Sequence, residues 1–294
     1  MSAPSLNGPR IAPWLFLAPF LLLFGLFTLY PLVKALVLAG QQTYGPATAR
    51  FVGLGNFRFL AGDPLFWRAL ANTAVYAAAS LLVQIPAALG LALLLNHPRI
   101  AGRGILRLVF FSPSLFGVVF VAMLFSVVFE PYTGLLNVGL HRLAGFDPAF
   151  PWLREHVMAA LVLCSLWMYA GFNMIFFLSA LQGVDGALLE AARIDGAGVW
   201  QRFRHITLPQ IAPVTGFVVL LSLIGSFQLF ELPYLLLGGG GPDNQGLTVV
   251  MYLYQTGFEM GDLGYASAIG WVLTAILVVL ALLQRRWGGK GEES

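Results

Sequence analysis

HVMAALVLCSLWMYAGFNMIFFLSAL, residues 156–181, contains no Lys, Arg, Asp or Glu. Crossing the hydrocarbon core of a bilayer takes about 20 mostly apolar residues as a helix, so this stretch reads as a membrane span. Similar stretches run from Ile11 to Leu38, Asn72 to Leu95, Ile105 to Phe129, Ile211 to Leu237 and Leu263 to Leu283. The reading is an all-α membrane protein with about six transmembrane helices.

Composition agrees with the spans. Of the 294 residues, 59% are hydrophobic and 10% charged, against roughly 25% charged in an ordinary soluble domain. A surface solvated by lipid tails has no use for the Lys, Glu, Asp and Arg that cover a soluble fold, and the mean hydropathy is +0.82. The first apolar run continues from Ile11 past Pro31 without a small-residue cleavage site, longer than a secretion signal, so it reads as an uncleaved span. The formal charge of +3 is spread along the chain, with no basic stripe of the kind that binds nucleic acid. The single cysteine, Cys164, lies in an apolar run, and no metal-ligand spacing exists.

Cytoplasmic loops carry an excess of Arg and Lys. With both termini in the cytoplasm, that side holds Arg10, Arg99, Arg103, Arg107, Arg193, Arg202, Arg204, Arg285, Arg286 and Lys290. The other side holds Arg50, Arg58, Arg68, Arg142 and Arg154, with Lys34 near the end of the first span. Ten against five or six favours cytoplasmic termini, and an even number of spans returns the chain to the side where it began. Prolines fall within several spans, at Pro13, Pro19, Pro31, Pro86, Pro113 and Pro213. Each would cost about 3 kcal/mol in a soluble helix, whereas in a bundle neighbouring groups re-satisfy the freed carbonyls. They read either as tolerated kinks or as bends that a moving pathway needs.

The loop between the fourth and fifth spans is the informative one. It reads GVDGALLEAARIDGAGVWQRFRHITLP, residues 183–209. Asp185 can cap a helix running through Glu190, Ala191, Ala192 and Arg193, which Gly196 and Gly198 then break. Val199, Phe203 and Ile206 recur at i, i+4 and i+7, one face of a second helix, with Gln201, Arg202, Arg204 and His205 turned elsewhere. Leu208 and Pro209 are expected to end that helix before the next span. The result is a compact, partly polar knob on the cytoplasmic side, suited to docking another protein. Taken alone, Glu190 has a plainer reading as a solvated residue or the i+3 partner of Arg193, worth a few tenths of a kcal/mol.

Glu190-Ala191-Ala192, Asp195-Gly196-Ala197, Phe203, Ile206 and Leu208-Pro209 together resemble the EAA loop of binding-protein-dependent ABC importer permeases. The resemblance implies the type I ABC importer transmembrane fold and a coupling helix seated in a cleft of a separate ATPase. Glu190, Ala191, Ala192, Asp195, Gly196, Phe203, Leu208 and Pro209 would carry that coupling, with Gly196 supplying the sharp turn. PFLLLFGLFTLYP (19–31), FVGLGNF (51–57), Phe66-Trp67, Asn72-Thr73, Gly239-Gly240-Gly241-Pro242 and Tyr252 to Phe258 resemble the sugar-permease branch, near the larger maltose-type and glycerol-phosphate-type subunits. The N-terminus is short beside some maltose-type subunits. By this resemblance residues 1–71 form the N-terminal span and first outer segment, 72–285 the permease core containing the loop, and 286–294 a cytoplasmic tail.

A neutral, hydroxyl-rich solute needs hydrogen-bonding side chains and aromatic faces along its path. The fourth span offers Trp167, Tyr169, Phe172 and Asn173, and the fifth Ser222, Ser226, Gln228, Glu231 and Tyr234. In related sugar importers these two spans line the cavity. Each residue also has a plainer use, because Ser and Asn hold helices together and Trp and Tyr anchor at interfaces. Glu231 stands apart, since an acid at the bilayer centre costs roughly 2.5–3.5 kcal/mol unless it faces protein or water.

A self-contained secondary transporter or channel is the alternative. It would ordinarily show coupling acids or bases in several spans or a repeat of broken helices, and only Glu231 is a clear candidate. An intramembrane enzyme would need a nucleophile and base or a metal cluster, and His97, His141, His156 and His205 sit in no such motif. The sequence has no GxxxxGK[ST] loop, because Gln284 stands where its first glycine belongs before Gly289-Lys290. The expectation is therefore a permease that binds no cofactor. The family resemblance implies that ATP and Mg are held by a partner ATPase dimer, beside a second homologous permease and an external solute-binding protein, in a bacterial inner membrane.

Overall fold

The computed structural model describes residues 12–43 and 49–288; Arg10, Ile11, Lys290 and the tail beyond residue 288 lie outside the described residues. In chain order the helices are α1 (Ala12–Phe24) and α2 (Tyr30–Ala39), then strands β1 (Gln41–Thr43) and β2 (Ala49–Phe51), then α3 (Gly55–Gly62), α4 (Pro64–Asn96), α5 (Arg103–Phe111), α6 (Val118–Val128), α7 (Leu135–Ala144) and α8 (Val157–Gln182). The remainder are α9 (Gly186–Ile194), α10 (Val199–Arg202), α11 (Leu208–Phe227), α12 (Glu231–Leu237), α13 (Val249–Tyr254) and α14 (Leu263–Gly288). Among the described residues, five helical stretches are long and apolar enough to span a membrane, and a bent pair makes a sixth.

Two expected spans and the loop's second helix differ in form, each beside a proline. The stretch expected as one helix from Ile105 to Phe129 is α5 and α6, bent by 100°. Pro113 has no N–H for the Val109 carbonyl four residues back; the Ser112 hydroxyl donates to that oxygen instead, at 3.0 Å. Residues 112–115 tighten into a 3₁₀ turn, and Phe116 is extended.

The fifth span, expected from Ile211 to Leu237, ends as a helix at Phe227 and restarts at Glu231. Pro233 cannot donate to the Leu229 carbonyl, and the Thr248 hydroxyl takes that role at 2.6 Å.

Leu208-Pro209, expected to end the loop's second helix, do not end it. One helical run continues from Val199 to Phe227. A wide π turn at Phe203–Thr207 lies just before Pro209, as another at Gly25–Leu29 lies just before Pro31. Widening the turn re-pairs backbone groups around a residue that lacks a donor.

The chain divides into two compact units. One holds the residues up to Asp63 together with Leu253–Val272. Here β1 pairs antiparallel with β2, Gln42 opposite Arg50. Asn56 of the FVGLGNF stretch is buried and donates to the Ala39 and Gln41 carbonyls at 3.0 and 2.8 Å, so one amide ties α3 back to the end of α2. Thr43 donates to Asp262 and accepts from the Gly264 backbone N–H at 2.9 Å. A Cβ on Gly264 would collide with the Gln41 carbonyl.

The other unit, Pro64–Tyr252 with the chain from Leu273 onward, is built on α4 packed along α8. Ala69, Ala77, Ala88 and Ala92 are buried, because small side chains let helices approach where no hydrophobic effect draws them together. Phe125, Phe129, Val157 and Leu161 form a core near the start of α8; Leu95, Met174, Phe177 and Ile211 form one near its end.

Candidate functional site

Between these two cores lies a cavity of about 410 Å³. Tyr169, Phe172 and Asn173 reach it from α8 at i, i+3 and i+4, which places them on one face. Ser222 and Ser226, at i and i+4 on α11, face them. Asn173 donates to the Ser222 hydroxyl at 3.3 Å across the two helices. The break after Phe227 then presents Gln228, Leu229, Phe230 and Glu231 in succession. A continuous helix would have turned most of these four away, since residues 100° apart share no face.

Seven of the nine residues offered for the solute path thus meet in one cavity: Tyr169, Phe172, Asn173, Ser222, Ser226, Gln228 and Glu231. Tyr234 is not among the lining residues; it lies one turn into α12, its ring 5.3 Å from that of Phe230. Trp167 packs between Phe116 and Phe125 instead of lining the cavity. Sequence reasoning missed Tyr76 and Gln84 of α4, Val118 of α6, Met168 of α8 and Val250 of α13. Gln84, an amide inside an apolar run, was the available signal; it donates to the Ser165 hydroxyl at 2.9 Å. Tyr169 and Phe172 are 41% and 40% exposed, while Asn173 is buried. Aromatic faces beside amide and hydroxyl groups suit a solute with apolar ring faces and equatorial hydroxyls.

The loop between α8 and α11 is folded as its residues dictate. Asp185 caps α9, its carboxylate accepting from the Ala187 N–H at 2.8 Å. Gly196 has φ +81°, the left-handed conformation that glycine adopts without strain, and the Ala197 N–H reaches back to the Ala192 carbonyl. Gln201 accepts from the Gly198 N–H at 2.7 Å and starts α10. A surface groove of about 420 Å³ runs between the two helices, lined by Ala192, Asp195, Gly196 and Ala197 on one side and Gln201, Arg202, His205 and Ile206 on the other. Glu190, Ala191, Phe203, Leu208 and Pro209 are not in its lining. Phe203 and Ile206 are half-buried and Val199 is 76% exposed, so the expected apolar face is only partly covered. Ile194 and Trp200 are also exposed.

Residues 84–287 match the family described as the inner membrane component of binding-protein-dependent transport systems. The chain belongs to this family. It is the membrane-spanning permease of an ABC importer, and the matched region contains nearly all of the cavity and the whole loop. The permease is 40% identical to the arabinooligosaccharide transport system permease AraP of Bacillus subtilis, with 96% of this chain and 91% of that protein covered. It is 36% identical to the lactose transport system permease LacF of Rhizobium radiobacter, with 92% of each covered. Among solved structures, it resembles a chain of a bacterial ABC transporter involved in import of the acidic polysaccharide alginate, with a TM-score of 0.82, 25% identity and 95% of each chain covered.

Proposed function

We propose that this permease forms one side of a pathway for a sugar or sugar-like solute, and that the cavity at the break between α11 and α12 is where the solute is held. The meeting of Tyr169, Phe172, Asn173, Ser222, Ser226, Gln228 and Glu231 in that cavity carries the reading. The names of the relatives, for arabinooligosaccharides and for lactose, support a saccharide.

The loop from 183 to 209 transmits ATP-driven motion to the spans within a permease core running from 72 to 285. Its exposed Glu190 and the apolar Ile194, Val199 and Trp200 form the face offered to an ATPase subunit, with Gly196 holding the turn between its two helices. The ATPase dimer binds ATP and Mg, so hydrolysis is not performed by this chain. A second, homologous permease completes the pore, and an external binding protein delivers the solute. Both termini and the loop lie on the cytoplasmic side of a bacterial inner membrane, which the excess of Arg and Lys on that side supports. ATP binding closes the ATPase pair, the loop moves with it, and the cavity opens outward; hydrolysis returns it inward.

The test is affinity purification of the tagged chain from its native membrane in mild detergent, followed by mass spectrometry and a solute-stimulated ATPase assay. Co-purification of a P-loop ATPase and a second permease, with stimulation abolished by Glu190→Ala in an assembled complex, is the expected result. A solitary protein that transports solute unaided would overturn it.

A further inference from the structure

The wall that this chain gives the cavity is acidic. Its lining includes the carboxylate of Glu231 and no Lys, Arg or His. Glu231 is exposed and lines the cavity. The same space receives the C-terminal end of α11, a helix of 20 residues that closes on Gln228. The aligned peptide dipoles of such a helix place about half a negative charge at that end. The break after Phe227 also brings the N-terminal end of α12 to the same wall, where the dipole is positive, so the two helix ends oppose each other and Glu231 supplies the net charge.

Resting on the reading of this cavity as the solute path, we propose that Glu231 makes it selective for uncharged or cationic saccharides and against anionic ones such as uronic acids. A hydroxyl or ammonium group donates to the Glu231 carboxylate, whereas a carboxylate brought to the same wall meets like charge in a space of low dielectric. The chain would differ in this respect from the structurally similar transporter involved in import of the acidic polysaccharide alginate.

The charge of the cavity can be read without knowing the natural solute. In the complete complex, Ser222→Cys and Gln228→Cys variants are each reacted with a cationic methanethiosulfonate (trimethylammonium-ethyl) and an anionic one (sulfonato-ethyl), with rates normalised to a free thiol in solution. The native Cys164 is fully buried and stays in place. The cationic reagent should react faster by about fivefold or more, and adding Glu231→Gln should lower that ratio by about threefold or more. A ratio unmoved by Glu231→Gln, a preference for the anionic reagent, or no reaction at either position would overturn the proposal. Binding-protein-stimulated ATP hydrolysis of the unmodified complex is measured in parallel. If hydrolysis persists while the ratio is unmoved, only the electrostatic assignment falls; if it is absent, the transport reading itself falls.

Discussion

Gly171 of α8 lies against the carbonyl group of Phe110 at the end of α5, so close that a Cβ on Gly171 would overlap the carbonyl itself. The approach falls next to Phe172 and Asn173 and just before the turn at Pro113, where the third span changes direction. Because the opposing atom belongs to the backbone, relief requires a shift of α5 as a whole.

Gly171→Ala therefore forces α5 and α8 apart, at a cost of about 1–3 kcal/mol. The expected outcome is a lower midpoint in a thermal-stability assay of the purified complex, with Gly171→Val lower still. An unchanged midpoint for both would show that α5 moves freely against α8.

Asn173 and Ser222 join α8 and α11 through a single bond of 3.3 Å. Hydrogen bonds between spans average about 0.6 kcal/mol, so Ser222→Ala should barely change thermal stability. Its effect should fall on solute, with a raised half-saturation concentration for stimulated ATPase activity and little change in the basal rate. A large loss of stability with unaltered solute response would assign the pair to packing alone.

Tyr265 donates its hydroxyl to Asp63, a buried carboxylate, and its ring meets Phe59 edge-on at 5.0 Å. Tyr265→Phe keeps the ring and removes the donor, costing about 1.5–3 kcal/mol for a bond to a charged group. The thermal midpoint should fall, and Asp63→Asn combined with Tyr265→Phe should cost less than the sum of the two alone. Strict additivity in that cycle would exclude the pair as an interacting unit.

Gly196 occupies a left-handed conformation at φ +81° with open space around its Cα. The penalty for Gly196→Ala is thus conformational, about 1–2 kcal/mol, and steric crowding adds nothing. The loop should lose its fixed turn, leaving complex assembly measurable by co-purification while the solute-dependent fraction of ATPase activity drops. Gly196→Asn, which tolerates this conformation better, should restore part of it.

The sixfold pattern of apolar stretches was legible in the chain because a span must be long and uncharged to lie in lipid, a property of consecutive residues. The loop was legible for a related reason. Asp185, Gly196 and Gly198 act on their immediate neighbours, and the cap at Ala187 and the turn at Gly196 follow from local chemistry. The polar groups of the cavity could be listed because they stand out within apolar helices.

What the spans do around proline was not legible, although the residues were in view. Whether a proline is absorbed, as Pro86 is within α4 and Pro213 within α11, or breaks the helix, as at Pro113 and Pro233, depends on what receives the freed carbonyl. For Pro233 that partner is Thr248, 19 residues along the chain from Leu229. Tyr76 and Gln84 reach the cavity only because α4 packs along α8, and Tyr234 misses its lining because α12 restarts in a new direction. Sequence alone determined which segments are long and apolar enough to span a membrane and where the loop between α8 and α11 caps and turns, since both follow from neighbours in the chain. Only the tertiary structure decided where the helices break and which polar groups share a cavity, because those outcomes rest on hydrogen bonds and packing between residues far apart in sequence.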